Sequence, residues 1–136
     1  MRHAARILVV DDDAALRALC EQMLQDAGYE VRTARNGREA VENTESYPLD
    51  LVLMDIMMPA MDGLAACKAI KANPRTRDLP VIIMSAVANL HMLAPDVIRL
   101  SAAVVSKPFD VDHVLDTVNR ILGAQRAGSP QNESLR

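Results

Sequence analysis

The residues best suited to chemistry in this chain stand where short apolar runs end. Ile7-Leu8-Val9-Val10 runs into Asp11-Asp12-Asp13, Leu51-Val52-Leu53-Met54 into Asp55, Val81-Ile82-Ile83-Met84 into Ser85, and Val104-Val105-Ser106 into Lys107-Pro108. Asp11, Asp12 and Asp55 at one place would repel one another unless they share a cation. A hard divalent cation with oxygen ligands resolves that conflict. Mg²⁺ suits it best, because it binds through few carboxylates and keeps several waters. The other reading of Asp11-Asp12-Asp13 is helix capping, since acidic residues at a helix start favour the dipole. Capping fits Asp13 and leaves Asp55 unexplained. Asp55 is either a carboxylate that happens to end a strand or an aspartyl nucleophile of the kind that forms an acyl phosphate. Lys107 is either a solvated surface lysine or a point charge for phosphoryl oxygens. Ser85 can donate a hydrogen bond to such an oxygen.

These side chains meet only if the runs are strands of one sheet. Apolar runs of this length bounded by turn signals read as strands buried on both faces, as in a parallel sheet. Open parallel sheets bind ligands at the carboxyl ends of their strands. Helical patterns alternate with the runs. The pattern predicts a helix over 14–27, with Leu16, Leu19, Cys20, Met23, Leu24 and Ala27 as its apolar stripe and Gly28 just past its end. Residues 29–34 read as a less apolar strand nearer an edge. Short helices over 37–44 and 64–72 follow, the second stopped by Asn73-Pro74. The loop 56–63 is punctuated by Pro59 and Gly63. Residues 89–100 are helical in pattern, with Pro95 distorting that helix or setting its first turn. The last helix, over 111–122, carries Val111, Val114, Leu115, Val118, Ile121 and Leu122 on one face. Five strands and five helices with right-handed crossovers make an α/β three-layer sandwich.

Composition narrows the function. The chain has 136 residues, half of them hydrophobic, which suits one domain with an aliphatic core. Tyr29, Tyr47 and Phe109 are its only aromatic residues and the net charge is −3. Neither base-stacking platforms nor a basic footprint is present, so no nucleic-acid partner is expected. Cys20 and Cys67 fall on apolar helix faces and read as buried reduced thiols. His3, His91 and His113 are scattered without ligand spacing. No signal peptide or spanning segment is visible. A cytoplasmic protein with no membrane partner is expected. Residues 124–136 read as a disordered polar tail after a domain over 1–123.

The order Val9-Val10-Asp11-Asp12-Asp13, then Asp55-Ile56-Met57-Met58-Pro59-Ala60-Met61-Asp62-Gly63, then Ser85-Ala86, then Lys107-Pro108-Phe109 resembles the receiver domain of bacterial two-component response regulators. The likeness covers roughly residues 6–122. It implies a flavodoxin-like, five-stranded parallel sheet of order 2-1-3-4-5 with five helices. It implies that Asp55 accepts a phosphoryl group from a histidine kinase or a histidine phosphotransfer protein. Asp12, Asp55 and the backbone carbonyl of Met57 would ligate Mg²⁺, and Asp11 would hold its water shell. Ser85 and Lys107 would contact the phosphoryl oxygens, and the Lys107-Pro108 peptide bond would be cis. The phosphorylated state would then alter binding of a downstream protein through the face formed by the fourth helix, fifth strand and fifth helix. On this reading the chain is a phosphoryl-accepting switch and not a conventional enzyme.

The chain also departs from the family pattern. Val104 stands three residues before the lysine, where the family has its switch aromatic. No acidic residue lies in Leu100-Ser101-Ala102-Ala103, so the charge network that pairs many DNA-binding members is incomplete, and a monomer or weak homodimer is expected. Met57 and Val87, at the two positions that tune phosphoryl lifetime, are apolar and poorly suited to placing an attacking water. That predicts slow self-dephosphorylation. The alternative function is a receiver-fold binding module that works without phosphorylation, favoured by Val104. A Mg²⁺-dependent phosphatase with an aspartyl intermediate ranks lower, because Met57 stands where such enzymes carry a second Asp.

Overall fold

The computed structural model of the chain describes residues 4–56, 63–85, 95–107 and 110–127. The elements run β1 (Arg6–Val10), α1 (Ala14–Asp26), β2 (Glu30–Ala34), α2 (Gly37–Ser46), β3 (Leu51–Asp55), α3 (Gly63–Ala72), β4 (Val81–Ser85), α4 (Pro95–Leu100), β5 (Ala103–Ser106) and α5 (Val111–Ala127). The strands form one parallel sheet in the order β2-β1-β3-β4-β5. This is the expected α/β architecture and strand order.

The period of two along each strand sorts the core into two layers. Ile7 and Val9, Leu51 and Leu53, Ile82 and Met84, and Val105 face a cluster closed by Cys20, Met23 and Leu24 of α1 and by Val114, Val118, Ile121 and Leu122 of α5. Leu8 and Val10, Val52 and Met54, and Val81 and Ile83 face the other side, where Ala40, Ala66, Cys67, Ile70 and Val97 of α2, α3 and α4 cover them. β3 and β4 are buried at every position, whereas only Ala34 of β2 is. That contrast explains why β1, β3 and β4 read as continuous apolar runs and β2, on the edge, does not.

Two helix ends follow from single residues. Asp13 caps α1: its Oδ1 accepts from the N–H groups of Ala15 and Leu16 at 2.9 and 3.2 Å. Gly28 closes α1 at φ +98°. Its N–H donates to Gln25 O and the Tyr29 N–H to Leu24 O, which is a Schellman motif.

The structure corrects four details. Spacing predicts Leu19 on the buried stripe of α1, yet it is 48% exposed, and Val111 of α5 is 40% exposed. Ala27, the α1 C-cap, is exposed as well. Spacing alone placed all three on a face that widens beyond what the sheet covers. α5 also runs on to Ala127, so residues 124–127 are helix and not tail. Ala124-Gln125-Arg126-Ala127 is a strong helix-forming sequence, and Gly123 costs the helix only about 1 kcal/mol. Pro95 takes the first position of α4, where its missing N–H does no harm. Residues 89–94 of that expected helix, the Lys107-Pro108 bond, and Met57, Val87, Phe109 and 128–136 lie outside the described residues.

Candidate functional site

Parallel register brings the strand-end residues together. Val10 pairs with Met54, so Asp11 and Asp55 are the next residues on adjacent strands. Asp55 pairs with Met84, which places Ser85 one step beyond it. Ser85 pairs with Ser106, and the Lys107 N–H donates to the Ser85 carbonyl at 2.7 Å. Asp11, Asp55 and Lys107 continue the alternation that faces α1 and α5. Ser85 continues the other face. Four segments far apart in sequence thereby end at one edge of the sheet.

The side chains of Asp11, Asp55 and Lys107 meet there. Lys107 Nζ lies 3.0 Å from Asp11 Oδ2 and 3.2 Å from Asp55 Oδ2. Asp11 and Ser85 are fully buried and Asp55 is 6% exposed, while Asp12 is exposed. Burial pulls the Lys107 ammonium down, but the Asp11 hydrogen bond and the Asp55 and Asp11 charges outweigh it, and the net shift is upward. Lys107 is therefore held charged between two carboxylates and is no solvated surface lysine.

Asp11 is fixed from several sides. Its N–H donates to Ala34 O at 3.2 Å, extending the β1–β2 ladder. Its Oδ1 accepts from the Asp13 N–H at 2.9 Å, and its carbonyl accepts from Arg17 Nη1 at 2.8 Å. Arg17 did not stand out in the sequence. One signal was available: Arg17, Cys20 and Leu24 follow helical spacing, so a cation sits on a core-facing stripe.

Asp11, Asp12 and Asp55 each offer a carboxylate oxygen within 4.8 Å of the others. A set of hard anionic oxygens this tight, beside a strand edge open to water through Asp12, fits Mg²⁺. Asp13, spent on capping, stands apart from it. The cavities of about 350 and 400 Å³ flanking Tyr47-Pro48 lie elsewhere and hold none of these residues. Among the described residues no helix is long and apolar enough to cross a membrane.

Residues 7–119 match the model of the response regulator receiver domain. The chemotaxis protein CheY of Bacillus subtilis is 40% identical over 122 residues, covering 88% of this chain and 98% of that protein. The DNA-binding dual master transcriptional regulator RpaA of Synechocystis is 32% identical over 117 residues, covering 86% of this chain. The chain spans only 48% of RpaA's length. Among solved structures, a putative response regulator from Chloroflexus aurantiacus superposes with a TM-score of 0.83 at 29% identity, covering 89% of this chain and 99% of that one.

Proposed function

The chain belongs to the response regulator receiver domain family, and from that premise we propose that Asp55 is the phosphoryl acceptor of a two-component phosphorelay. The observation that carries this reading is the Lys107 ammonium bridging Asp11 and Asp55 at the carboxyl edge of the sheet. A carboxylate oxygen of Asp55 attacks the phosphorus of a phosphohistidine on a kinase or phosphotransfer protein. The P–N bond breaks and its electron pair stays on the imidazole nitrogen. An acyl phosphate forms on Asp55. Lys107, already charged and 3.2 Å from Asp55 Oδ2, pairs with the phosphoryl oxygens. The Ser85 hydroxyl, one residue beyond the Asp55 partner Met84, donates to another.

Asp11, Asp12 and Asp55 would hold Mg²⁺, with the Met57 carbonyl as the further ligand that the family likeness implies. When bound there, Mg²⁺ supplies neutralisation of phosphoryl charge. Asp55 is close to fully buried, so the added charge and acceptor oxygens act on packed neighbours and not on bulk water. Those neighbours bias a switch between two arrangements. The surface that reads the switch is the α4–β5–α5 face, where Ile98 and Val111 stand exposed. The protein is a self-phosphorylating acceptor whose phosphoryl group decays slowly, and not a conventional enzyme. Its two free, buried cysteines suit a reducing, cytoplasmic compartment.

The test is intact mass after incubation with acetyl phosphate, with and without Mg²⁺. The expected result is a Mg²⁺-dependent gain of one phosphoryl group in the wild type and none in Asp55→Asn. No gain in folded wild type would instead favour a phosphorylation-independent binding module, the reading that Val104 supports. That residue is a half-buried valine against the α2–α3–α4 core, with no ring to carry a signal outward.

A further inference from the structure

Arg17 spends its charge in an unusual place for a helix cation. Its Nη1 donates at 2.8 Å to the carbonyl of Asp11, six residues earlier and outside the helix. That carbonyl belongs to the peptide joining Asp11 to Asp12. The same short turn is held by the Asp13 N–H on Asp11 Oδ1 at 2.9 Å and by Lys107 on Asp11 Oδ2 at 3.0 Å. The Asp12 side chain is exposed, and among the described residues no hydrogen bond or ion pair from it accompanies these contacts. Its direction is therefore set through its backbone. Asp12 nonetheless keeps a carboxylate oxygen within 4.8 Å of those of Asp11 and Asp55.

We propose that Arg17 is a positioning residue for the carboxylate cluster: by fixing the Asp11–Asp12 peptide it aims the Asp12 carboxylate at the cation site. The inference rests on the reading of that cluster as a Mg²⁺ site. It differs in sign from a purely electrostatic role. A guanidinium near a cation site repels the cation, so removing its charge alone should tighten Mg²⁺ binding. Removing a positioning contact should weaken it, as loss of an outer partner of a metal ligand does.

The experiment measures the Mg²⁺ dissociation constant of the full chain by isothermal titration calorimetry for wild type, Arg17→Met and Arg17→Lys. Met keeps the packing of the stem and drops the donor. Lys restores one donor for a carbonyl that accepts one. We expect Arg17→Met to weaken Mg²⁺ binding by about tenfold, with Arg17→Lys recovering most of it. In phosphorylation by acetyl phosphate, the half-saturating Mg²⁺ concentration should rise while the rate at saturating Mg²⁺ holds. A merely structural role would lower the melting temperature of both variants without this split. Unchanged or tighter binding in Arg17→Met overturns the inference and leaves the proposed function standing. If the wild type binds no Mg²⁺ at millimolar concentration, the metal-site reading itself fails and takes the inference with it. If Arg17→Met does not fold, Arg17→Lys is compared with Arg17→Leu, which likewise lacks a donor, and equal affinity in both overturns the inference.

Discussion

A methyl group placed on Gly63 would stand 2.5 Å from the carbonyl oxygen of Asp55 and 2.7 Å from Cα of Ile56. The start of α3 is thus packed directly on the backbone of the proposed acceptor. The Gly63 N–H completes the contact by donating to Ile56 O at 2.9 Å. The need for glycine here is one of space. Both obstructing groups are backbone atoms and cannot rotate away.

Gly63→Ala must therefore move α3 or the end of β3. The expected loss is about 1–3 kcal/mol, the usual range for forcing atoms into a packed site, seen as a lower urea midpoint. Because the displaced segment carries Asp55, acetyl phosphate should also label the folded variant more slowly than wild type. A variant that loses stability yet keeps the wild-type labelling rate would show that the close approach serves packing alone.

Lys107→Ala removes the ammonium shared by Asp11 and Asp55. Two largely buried carboxylates then face each other with less compensation. Complete loss of a buried partner costs about 3–5 kcal/mol. Lys107 remains 15% exposed, so about 2 kcal/mol is expected here without Mg²⁺. Mg²⁺ held by the folded cluster, as proposed, would raise the melting temperature of both proteins, with the larger rise in the variant. Equal rises would mean that ammonium and cation do not share the same carboxylates.

Asp12→Asn should act in the opposite direction. Asp12 is exposed and adds a third negative charge beside Asp11 and Asp55. Without Mg²⁺, removing it relieves repulsion, and the variant should be at least as stable as wild type by urea unfolding. It should also lose most of the Mg²⁺-induced gain in melting temperature. Stability given up at a charged site is a common cost of function.

Much of this was legible in the residues, for a physical reason. Residues 7–10 of β1, 51–54 of β3 and 81–84 of β4 are fully buried, so they are apolar at every position and the runs end sharply. Asp11, Asp55 and Ser85 can be placed because each ends such a run, and Lys107 because it follows the shorter apolar pair Val104-Val105 of β5. Spacing shows which residues can face inward but not how wide a surface the sheet covers, which is why Leu19 and Val111 are exposed despite their positions on the stripes. Contacts across long separations were hidden. The Lys107–Asp11 bridge spans 96 residues. Lys71 donates to the carbonyls of Arg77 and Leu79 at 3.1 and 2.6 Å, a clip on the loop before β4 that looks like an ordinary surface lysine in sequence. Burial lowers the Lys71 ammonium, with Cys67 and Asp78 opposing that shift.

Met57→Asn and Val87→Glu test phosphoryl lifetime. Both positions lie outside the described residues, and the expectation follows from side-chain chemistry alone. An amide or carboxylate there can hold a water for attack on the acyl phosphate, which a thioether or an isopropyl group cannot. Decay of labelled Asp55, followed by intact mass after removing the donor, should be faster in each variant, by roughly tenfold or more. Unchanged decay would remove the basis for expecting a long-lived phosphoryl group.

Stability above pH 9 should carry the signature of Cys20. This thiol is fully buried, and burial chiefly, with the Asp11 charge adding and Lys107 opposing, raises it from 9.0 to about 11. The folded state therefore keeps a proton that the unfolded chain releases from pH 9 upward. Between these values the unfolded state binds fewer protons, so stability falls as pH rises and levels off above about 11. Neighbouring groups titrate in the same region. Cys67, raised by burial with Lys71 opposing, gives a fall of the same sign. Lys107, raised above 10.5, stabilises the fold below that value and loses its contribution as pH climbs through its folded value. Lys71, lowered, works the other way, and stability recovers as pH rises from its folded value towards 10.5. The Cys20 contribution is isolated by subtraction. Urea midpoints of wild type and Cys20→Ala are measured from pH 8 to 11. Cys20→Ala should start lower, by about 1 kcal/mol for the small cavity, and the gap should close as pH rises past 9. A constant gap would mean that the Cys20 thiol titrates alike in the folded and unfolded states.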